Sequence, residues 1–500
     1  WLKGSIPFGR RMRHVGCGKL AVCAEPMRFS ELHKHTFGQW SPDGRYLAAA
    51  SMGRVLVRDA ETLKLVQVFV CCEKVARIEW SPDSQYILAE TSKQGIVQVW
   101  CVSDADWSCR IDEGLAGVTR ARWGPSSRHV LIMTEFHMYL AVWKLQQDAT
   151  AAHIRHPKYD DRGVAFNHGD GHFLAVLRRS NCQDHVSVHN SEDNFTAEVF
   201  AFQIDGDCAD MMWAHDDSSL LLWDRPARAS RFLWYSLRGE LLVQVKECRL
   251  LRSAYPSPSA QFLVAACFDG SLCLLSGTTR SIVSTFAHDL KSAWAETGGA
   301  DDVAVLREEP SNPETGATSG ARYLRLRNLS AARVPEEHIA RETPVDADGV
   351  PQVGVAVAKW SPDERYVATL HFGMPTSVWI WDLGRVCLSA LLLHRSAVKS
   401  LAWDPCTAPS TLASRLAIST SDASLFMWSP VGTSIGNCPL AMTRLRWRSD
   451  GLHLLMQDKD CICVCAPGPP DRVEADTPAV VKALSELRDG AGEVDNAEPA

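Results

Sequence analysis

Four residues near the C-terminus have the types and order of a hydrogen-bonded relay: His394, Thr420, Asp422 and Trp428. An imidazole, a hydroxyl and a carboxylate could also be read as a hydrolase triad, in which the base activates the hydroxyl. The indole fits the other reading better. A turn Asp accepts from His, the His contacts the hydroxyl, and the hydroxyl contacts the indole N–H. Four buried polar groups are then satisfied together. This structural tetrad is the expectation adopted.

Other chemistry fares worse. Gly16, Cys17, Gly18 and Lys19 hint at a phosphate loop, but the GxxxxGK[ST] spacing is missing and Leu20 stands where the magnesium-binding hydroxyl belongs. No GxGxxG, GxSxG or HExxH run occurs. His33 with His35, His153 with His156 and His168 with His172 could share a face, yet each pair lacks a third ligand. Asp216–Asp217 and Asp301–Asp302 lie in turn contexts. The seventeen cysteines are diluted through 500 residues, unlike a short secreted disulfide scaffold. Cys267 and Cys273, and Cys461, Cys463 and Cys465, sit in apolar strand-like runs and read as small buried hydrophobes of a reducing compartment. No catalytic, cofactor-binding or metal-binding residue is expected.

The elements that carry these residues follow from a repeat. An aromatic, a Ser-Pro-Asp-like turn and a short apolar run recur at Trp40, Trp80 and Trp123, more weakly at Phe166, Trp213 and Tyr255, and again at Trp360, Trp403 and Trp447. Successive starts lie 40, 43, 43, 47, 42, 105, 43 and 44 residues apart. A period of about 40–45 residues is that of a four-stranded WD-repeat blade. The long gap fits two blades plus an insertion, with residues 302–308 and 322–327 as strands of a degenerate unit and 310–320 as a loop. The expected fold is an all-β WD-repeat β-propeller of about ten blade-like repeats, as two unequal propellers or one large ring. The last repeat lacks an outer strand, and residues 29–36 could supply it and close the ring.

The expected organisation is a disordered N-terminal extension (1–28), the propeller (29–466, with an inserted loop at about 297–350) and an acidic flexible tail (467–500). Residues 480–487 of the tail could form a short amphipathic helix. The chain begins with Trp, and Arg10, Arg11 and Arg13 fit a leader, a disordered arm or a translation artefact. A net charge of -7 disfavours a general polyanion binder. No apolar run approaches the roughly 20 residues of a membrane span.

Two segments are more distinctive than generic repeat chemistry: CRIDEGLAG at 109–117 and TEFHMYLAVWKL at 134–145. With ARIEW (76–80), GIVQVW (95–100) and VWIWD (378–382), they resemble the WRAP-type WD-repeat family of centrosomes and spindle poles. The similarity runs from about Phe29 to Cys465 and is strongest over the second and third repeats. It implies a non-catalytic cytoplasmic adaptor that binds a coiled-coil protein of the Msd-like family. It further implies anchoring of microtubule minus ends at the centrosome, spindle pole or ciliary basal body, with a minus-end-directed kinesin joining in fungi. Nucleic acid and membrane are not expected partners. The alternative class is a propeller scaffold in RNA-linked or translation machinery. Binding residues are expected where the distinctive segments form loops: Ile111, Asp112, Glu113 and Gly114, and Thr134, Glu135, Phe136 and His137.

Overall fold

The computed structural model describes residues 27–91, 95–145, 149–224, 230–247, 249–290, 303–309, 322–326, 344–345, 351–405 and 414–467. Among these residues the chain forms nine antiparallel blades. Their inner strands are Phe37–Trp40 (blade 1), Val75–Trp80 (2), Arg120–Trp123 (3), Val164–Phe166 (4), Cys208–Trp213 (5), Leu251–Pro256 (6), Val355–Trp360 (7), Val398–Trp403 (8) and Arg444–Trp447 (9). Each of the nine repeats seen in the sequence thus opens one blade.

Local chemistry explains each start. In the first turn the Ser41 hydroxyl donates to Asp43 Oδ1 (2.6 Å) and accepts the Tyr46 N–H (2.9 Å). The next residue, Gly44, has φ +73°, and Ser84 holds the equivalent left-handed position in blade 2 at φ +62°. A turn that reverses so sharply needs one such residue. The Ser84 hydroxyl also accepts the Asp43 N–H across the blade boundary (3.0 Å), and Ser127 repeats this toward Asp83 (3.0 Å).

The repeated tryptophan has an inter-blade role. Trp80 Nε1 donates to the Gln39 carbonyl (3.1 Å), Trp123 to Glu79 (3.2 Å), Trp403 to Lys359 (2.9 Å) and Trp447 to Ala402 (2.9 Å). In each case the acceptor lies on the inner strand of the preceding blade. Trp40 reaches back in the same way to Arg446 of blade 9 (3.3 Å), so the pattern runs around the ring. Phe166 carries no N–H, and there the Arg122 guanidinium bonds the Val164 carbonyl instead (2.9 Å).

Closure follows the expected route. Met27–Phe29 pairs antiparallel with Cys461–Pro467, Met27 opposite Pro467 and Phe29 opposite Cys465. His33 and Lys34 continue the pairing against Ile462 and Cys461. The paired segment therefore begins at Met27, two residues before the expected boundary. The rest of the proposed extension and the tail lie outside the described residues. Hydrophobic clusters fill the blade boundaries, including Trp40, Leu47 and Ala49 against Leu455, Ile462 and Val464 at the 9–1 junction.

The tenth unit is corrected by the structure. Ala304–Glu309 and Arg322–Leu326 form a hairpin that makes no separate blade. Ala304–Glu309 instead pairs in parallel with Cys387–Leu393, the outer strand of blade 7, making that sheet six-stranded. Blade 6 packs directly on blade 7 through Val264, Leu272 and Leu274 against Val355, Val367 and Trp379. Two strands cannot span a radial position that four fill. They take up the unpaired N–H and C=O groups of an outer edge instead. The result is one ring of nine blades.

No helix of the described residues is long and apolar enough to cross a membrane. Cys267 and Cys273 are buried at the blade 5–6 interface, and Cys463 and Cys465 in the core of blade 9. The described cysteines are all free thiols.

Candidate interaction site on the propeller rim

Successive strands of a blade run antiparallel, so the second-to-third strand loops share one face of the ring with the blade-to-blade connections. Both distinctive segments belong to that face. CRIDEGLAG connects blades 2 and 3, and TEFH lies between the second and third strands of blade 3.

The structure brings the two together. Ile111 and Thr134 are fully buried anchors at the base. Asp112 Oδ1 accepts the Gly114 N–H (2.9 Å) and its other oxygen faces Arg110 (3.4 Å), so Asp112 caps a turn. Glu113 points inward across the cleft, taking the Tyr139 hydroxyl (3.0 Å) and the Trp143 indole N–H (2.5 Å). Burial and the Glu113 bond raise the Tyr139 pKa. Gly114 (φ +58°) starts a single 3-10 turn, Gly114–Ala116. The Thr134 hydroxyl donates to the Tyr139 carbonyl (2.7 Å) and accepts the Tyr139 N–H (3.1 Å), fixing the base of the second turn, Glu135–His137. A Cβ on Gly117 would meet Glu135 Cδ at 2.7 Å, so the turns are in contact and glycine is required there. Asp160, from the next connection, accepts from the Thr119 hydroxyl (2.9 Å) and lies 3.0 Å from His137 Nε2, tying the pair from outside.

This scaffold projects apolar side chains into solvent. Leu115 and Phe136 are 107% and 90% exposed, and Met138 is half-exposed beside them in sequence. Phe136 and His137 also hold φ values of +58° and +53°. A bulky residue in the left-handed region costs about 1–3 kcal/mol, and such strain clusters at binding sites. Within these loops Asp112 and Glu113 turn their carboxylates to the fold, while Leu115 and Met138, outside the eight residues expected from the sequence, and Phe136, one of them, supply the exposed apolar surface.

The expected tetrad is not assembled in blade 8. Asp422 accepts from the Ser396 hydroxyl (2.6 Å), not from His394. His394 is drawn toward the added hairpin, with Nδ1 3.8 Å from Glu308 and Nε2 3.4 Å from the Tyr323 hydroxyl. Thr420 Oγ1 is buried with no hydrogen-bond partner among the described residues, and Trp428 packs edge-on against Tyr366 and Trp403. The hairpin strands brought a carboxylate and a phenol to the histidine, and these compete with the turn Asp.

A three-membered relay forms instead in blade 7. The Trp381 indole N–H donates to Thr369 Oγ1 (3.0 Å), which lies 2.7 Å from His288 Nε2. His288 Nδ1 lies 2.5 Å from the Gly270 carbonyl. A carbonyl only accepts, so Nδ1 carries the proton and Nε2 accepts from the Thr369 hydroxyl. The imidazole is neutral, and burial lowers its pKa to about 3. The VWIWD segment contained the signal, but His288 stands 81 residues before Thr369, across the insertion.

The remaining candidates serve the loops. His168 Nε2 contacts the Trp213 carbonyl (3.2 Å), His172 Nδ1 the Ser191 hydroxyl (2.6 Å), and His153 packs edge-on against Tyr139. Asp217 accepts the N–H groups of His168 (2.9 Å) and Gly169 (2.8 Å). Asp301 and Asp302 lie outside the described residues. Among the described residues no three His, Cys, Asp or Glu side chains are grouped to hold a metal.

Three groups, the buried His35 and the partly buried His288 and Glu90, set a pH response. Burial lowers His35 to about 4 and His288 to about 3, while it raises Glu90 to about 7. Below pH 6.5 the unfolded chain takes up protons that the two folded histidines refuse, which destabilises the fold as pH falls. Glu90 acts oppositely: between about pH 4.5 and 7 the folded chain holds a proton that the unfolded chain has lost. Two protons against one leave a net of about one, so these groups remove at most about 1.4 kcal/mol per pH unit between pH 6.5 and 4.5. Urea unfolding at pH 6.5, 5.5 and 4.5 measures it; stability rising on acidification would contradict the assignment.

The nine antiparallel blades, their SPD turns and their inter-blade tryptophans define a WD-repeat β-propeller. The mouse protein "WD repeat-containing protein WRAP73" is 32% identical to this chain over 471 residues, covering 89% of this chain and 97% of the mouse protein. The chain belongs to the WRAP73-like family of WD-repeat proteins. An uncharacterised WD repeat-containing protein of Schizosaccharomyces pombe is 21% identical over 388 residues, 74% of each chain. The crystal structure of the C-terminal WD40 domain of Sif2 aligns over 89% of this chain and 99% of its own, at 11% identity and a TM-score of 0.47. No protein-family model matches the chain.

Proposed function

We propose that this chain is a non-catalytic adaptor whose rim at blades 2 and 3 grips a helical segment of a coiled-coil protein of the Msd-like class. Through that partner it holds microtubule minus ends at a centrosome, spindle pole or ciliary basal body. One observation carries the site: Leu115 and Phe136 stand in solvent on two turns braced by Glu113, Thr134 and Asp160. Apolar anchors on a rigid base, rimmed by Arg110, Asp112 and Glu135, are the anatomy of a protein interface. A helix of a coiled coil presents apolar side chains flanked by charges and is matched to such a rim. The microtubule role rests on the resemblance of the second and third repeats. A minus-end-directed kinesin joins the assembly in this reading, while nucleic acid and membrane take no part.

Leu115→Glu with Phe136→Glu tests it. Both side chains are outside the core, so the melting profile is expected to stay within about 0.5 kcal/mol of the parent. Binding of the purified coiled-coil partner, by calorimetry, is expected to fall at least tenfold, or about 1.4 kcal/mol. The tagged parent should collect at spindle poles or basal bodies and the variant should disperse. Parent-like binding by the variant would remove this rim from the interface. Diffuse parent chain beside an available partner would refute the adaptor role.

A further inference from the structure

The inner strands that line the central channel are unequally charged. On one side, blades 2, 3 and 5 mix signs: Arg77 and Glu79, Arg120 and Arg122, and Asp210. On the other, the inner strands of blades 7, 8 and 9 carry Lys359, Lys399, Arg444 and Arg446 and no carboxylate at all. All four side chains are exposed, and among the described residues none has an ion-pair partner. Arg446 feels Arg77 from two blades away as well as Arg444, and partial desolvation by the channel wall together with these like charges lowers its pKa. The uncompensated charges therefore converge on a shared space.

We propose that this basic sector binds an acidic, extended peptide segment of a partner protein, at a site separate from the rim. Spacing is the first argument. Arg444 and Arg446 stand two residues apart on one strand, so their side chains leave the same face about 7 Å apart. Carboxylates at alternate positions of an extended peptide repeat at that same distance. Lys359 adds a third cation at the register of Arg446, each being the residue before its repeat tryptophan, and Lys399 extends the sector along blade 8. Like charges held together repel, and an anion placed among them relieves that repulsion.

A nucleic acid fits less well. It needs a continuous basic track and aromatic faces on which bases stack. Here the aromatics beside the cations, Trp360 and Trp447, are tied to the preceding blade through their indole N–H groups, and the facing wall carries Glu79 and Asp210. A short acidic peptide can lie along one wall and avoid the other.

The test uses the full chain and a fluorescein-labelled twelve-residue peptide of alternating Glu and Thr, with a twelve-nucleotide oligouridine as the competing polyanion. Anisotropy at low salt is expected to show saturable peptide binding that weakens as salt rises. Arg444→Glu with Arg446→Glu should weaken it at least tenfold, and Leu115→Glu should leave it unchanged. If the double variant fails to fold, Lys359→Glu alone should weaken binding at least threefold. Absence of saturable binding, equal affinity in the folded charge-reversal variant, or tighter binding of oligouridine than of peptide would overturn the proposal.

Discussion

Replacing Lys158 with methionine is expected to destabilise the ring by about 3–5 kcal/mol, the cost of removing one partner from a buried ionic cluster. Lys158 precedes blade 4, and its side chain is almost wholly buried, 3% exposed. Its ammonium lies 2.6 Å from Asp184 Oδ2, 2.6 Å from Asp207 Oδ1 and 2.5 Å from the Cys208 carbonyl. Asp184 belongs to the third strand of blade 4, and Cys208 opens the inner strand of blade 5. One cation thus joins two blades. Burial alone would lower the Lys158 pKa, but the two carboxylates outweigh it and raise it. Methionine fills the volume of the stem but leaves the Asp184 and Asp207 carboxylates facing each other without the ammonium, beside Arg179 and the Cys208 N–H. Chemical unfolding of the parent and variant measures the loss. The double variant Lys158→Met, Asp184→Leu should recover part of it by removing one stranded charge. A single variant within about 0.5 kcal/mol of the parent would show that the cluster contributes little.

Deleting residues 29–36 is expected to make the ring aggregate. The deletion strips partners from Cys461–Pro467, including the Ser30 hydroxyl that accepts the Val464 N–H (2.9 Å), and from the strand before it, where the Thr36 carbonyl accepts from Gln457 (2.6 Å). An unpaired edge strand of alternating apolar residues is a template for intermolecular pairing. Light scattering after size-exclusion chromatography should find multimers, and the melting transition should move to lower temperature. Unchanged solubility and melting would mean that the closing strand is dispensable.

The nine blades were legible because each carries an aromatic and an SPD-like turn whose chemistry is local: Ser41, Asp43 and Tyr46 satisfy one another within six residues. The closing strand was legible as well, because the last repeat lacked an outer strand and the first segment had none of its own to complete. What failed was non-local. The hairpin of Ala304–Glu309 and Arg322–Leu326 has strand-like composition, and composition does not say which sheet edge it joins. That one misplacement carried over to the tetrad, since Glu308 and Tyr323 arrive at His394 from the hairpin. The relay of His288, Thr369 and Trp381 was hidden by the same insertion. At the rim, the distinctive loops stood out in the sequence, but which of their side chains face solvent did not. Glu113 turns inward only because Tyr139 and Trp143, on the neighbouring blade, offer it two donors.

The pairing of Met27–Phe29 with Cys461–Pro467 also fixes when this protein can exist. Ser30 and Val464 are 434 residues apart. At about 5–20 residues per second, the first strand leaves the ribosome about 20–90 s before its partner is made. Throughout that interval blades 1 to 8 can stack as an open arc with two raw ends. Until the partner strand is made, each open end is an unpaired edge available to other chains, and a stall late in translation exposes more of the stacked arc than one early on.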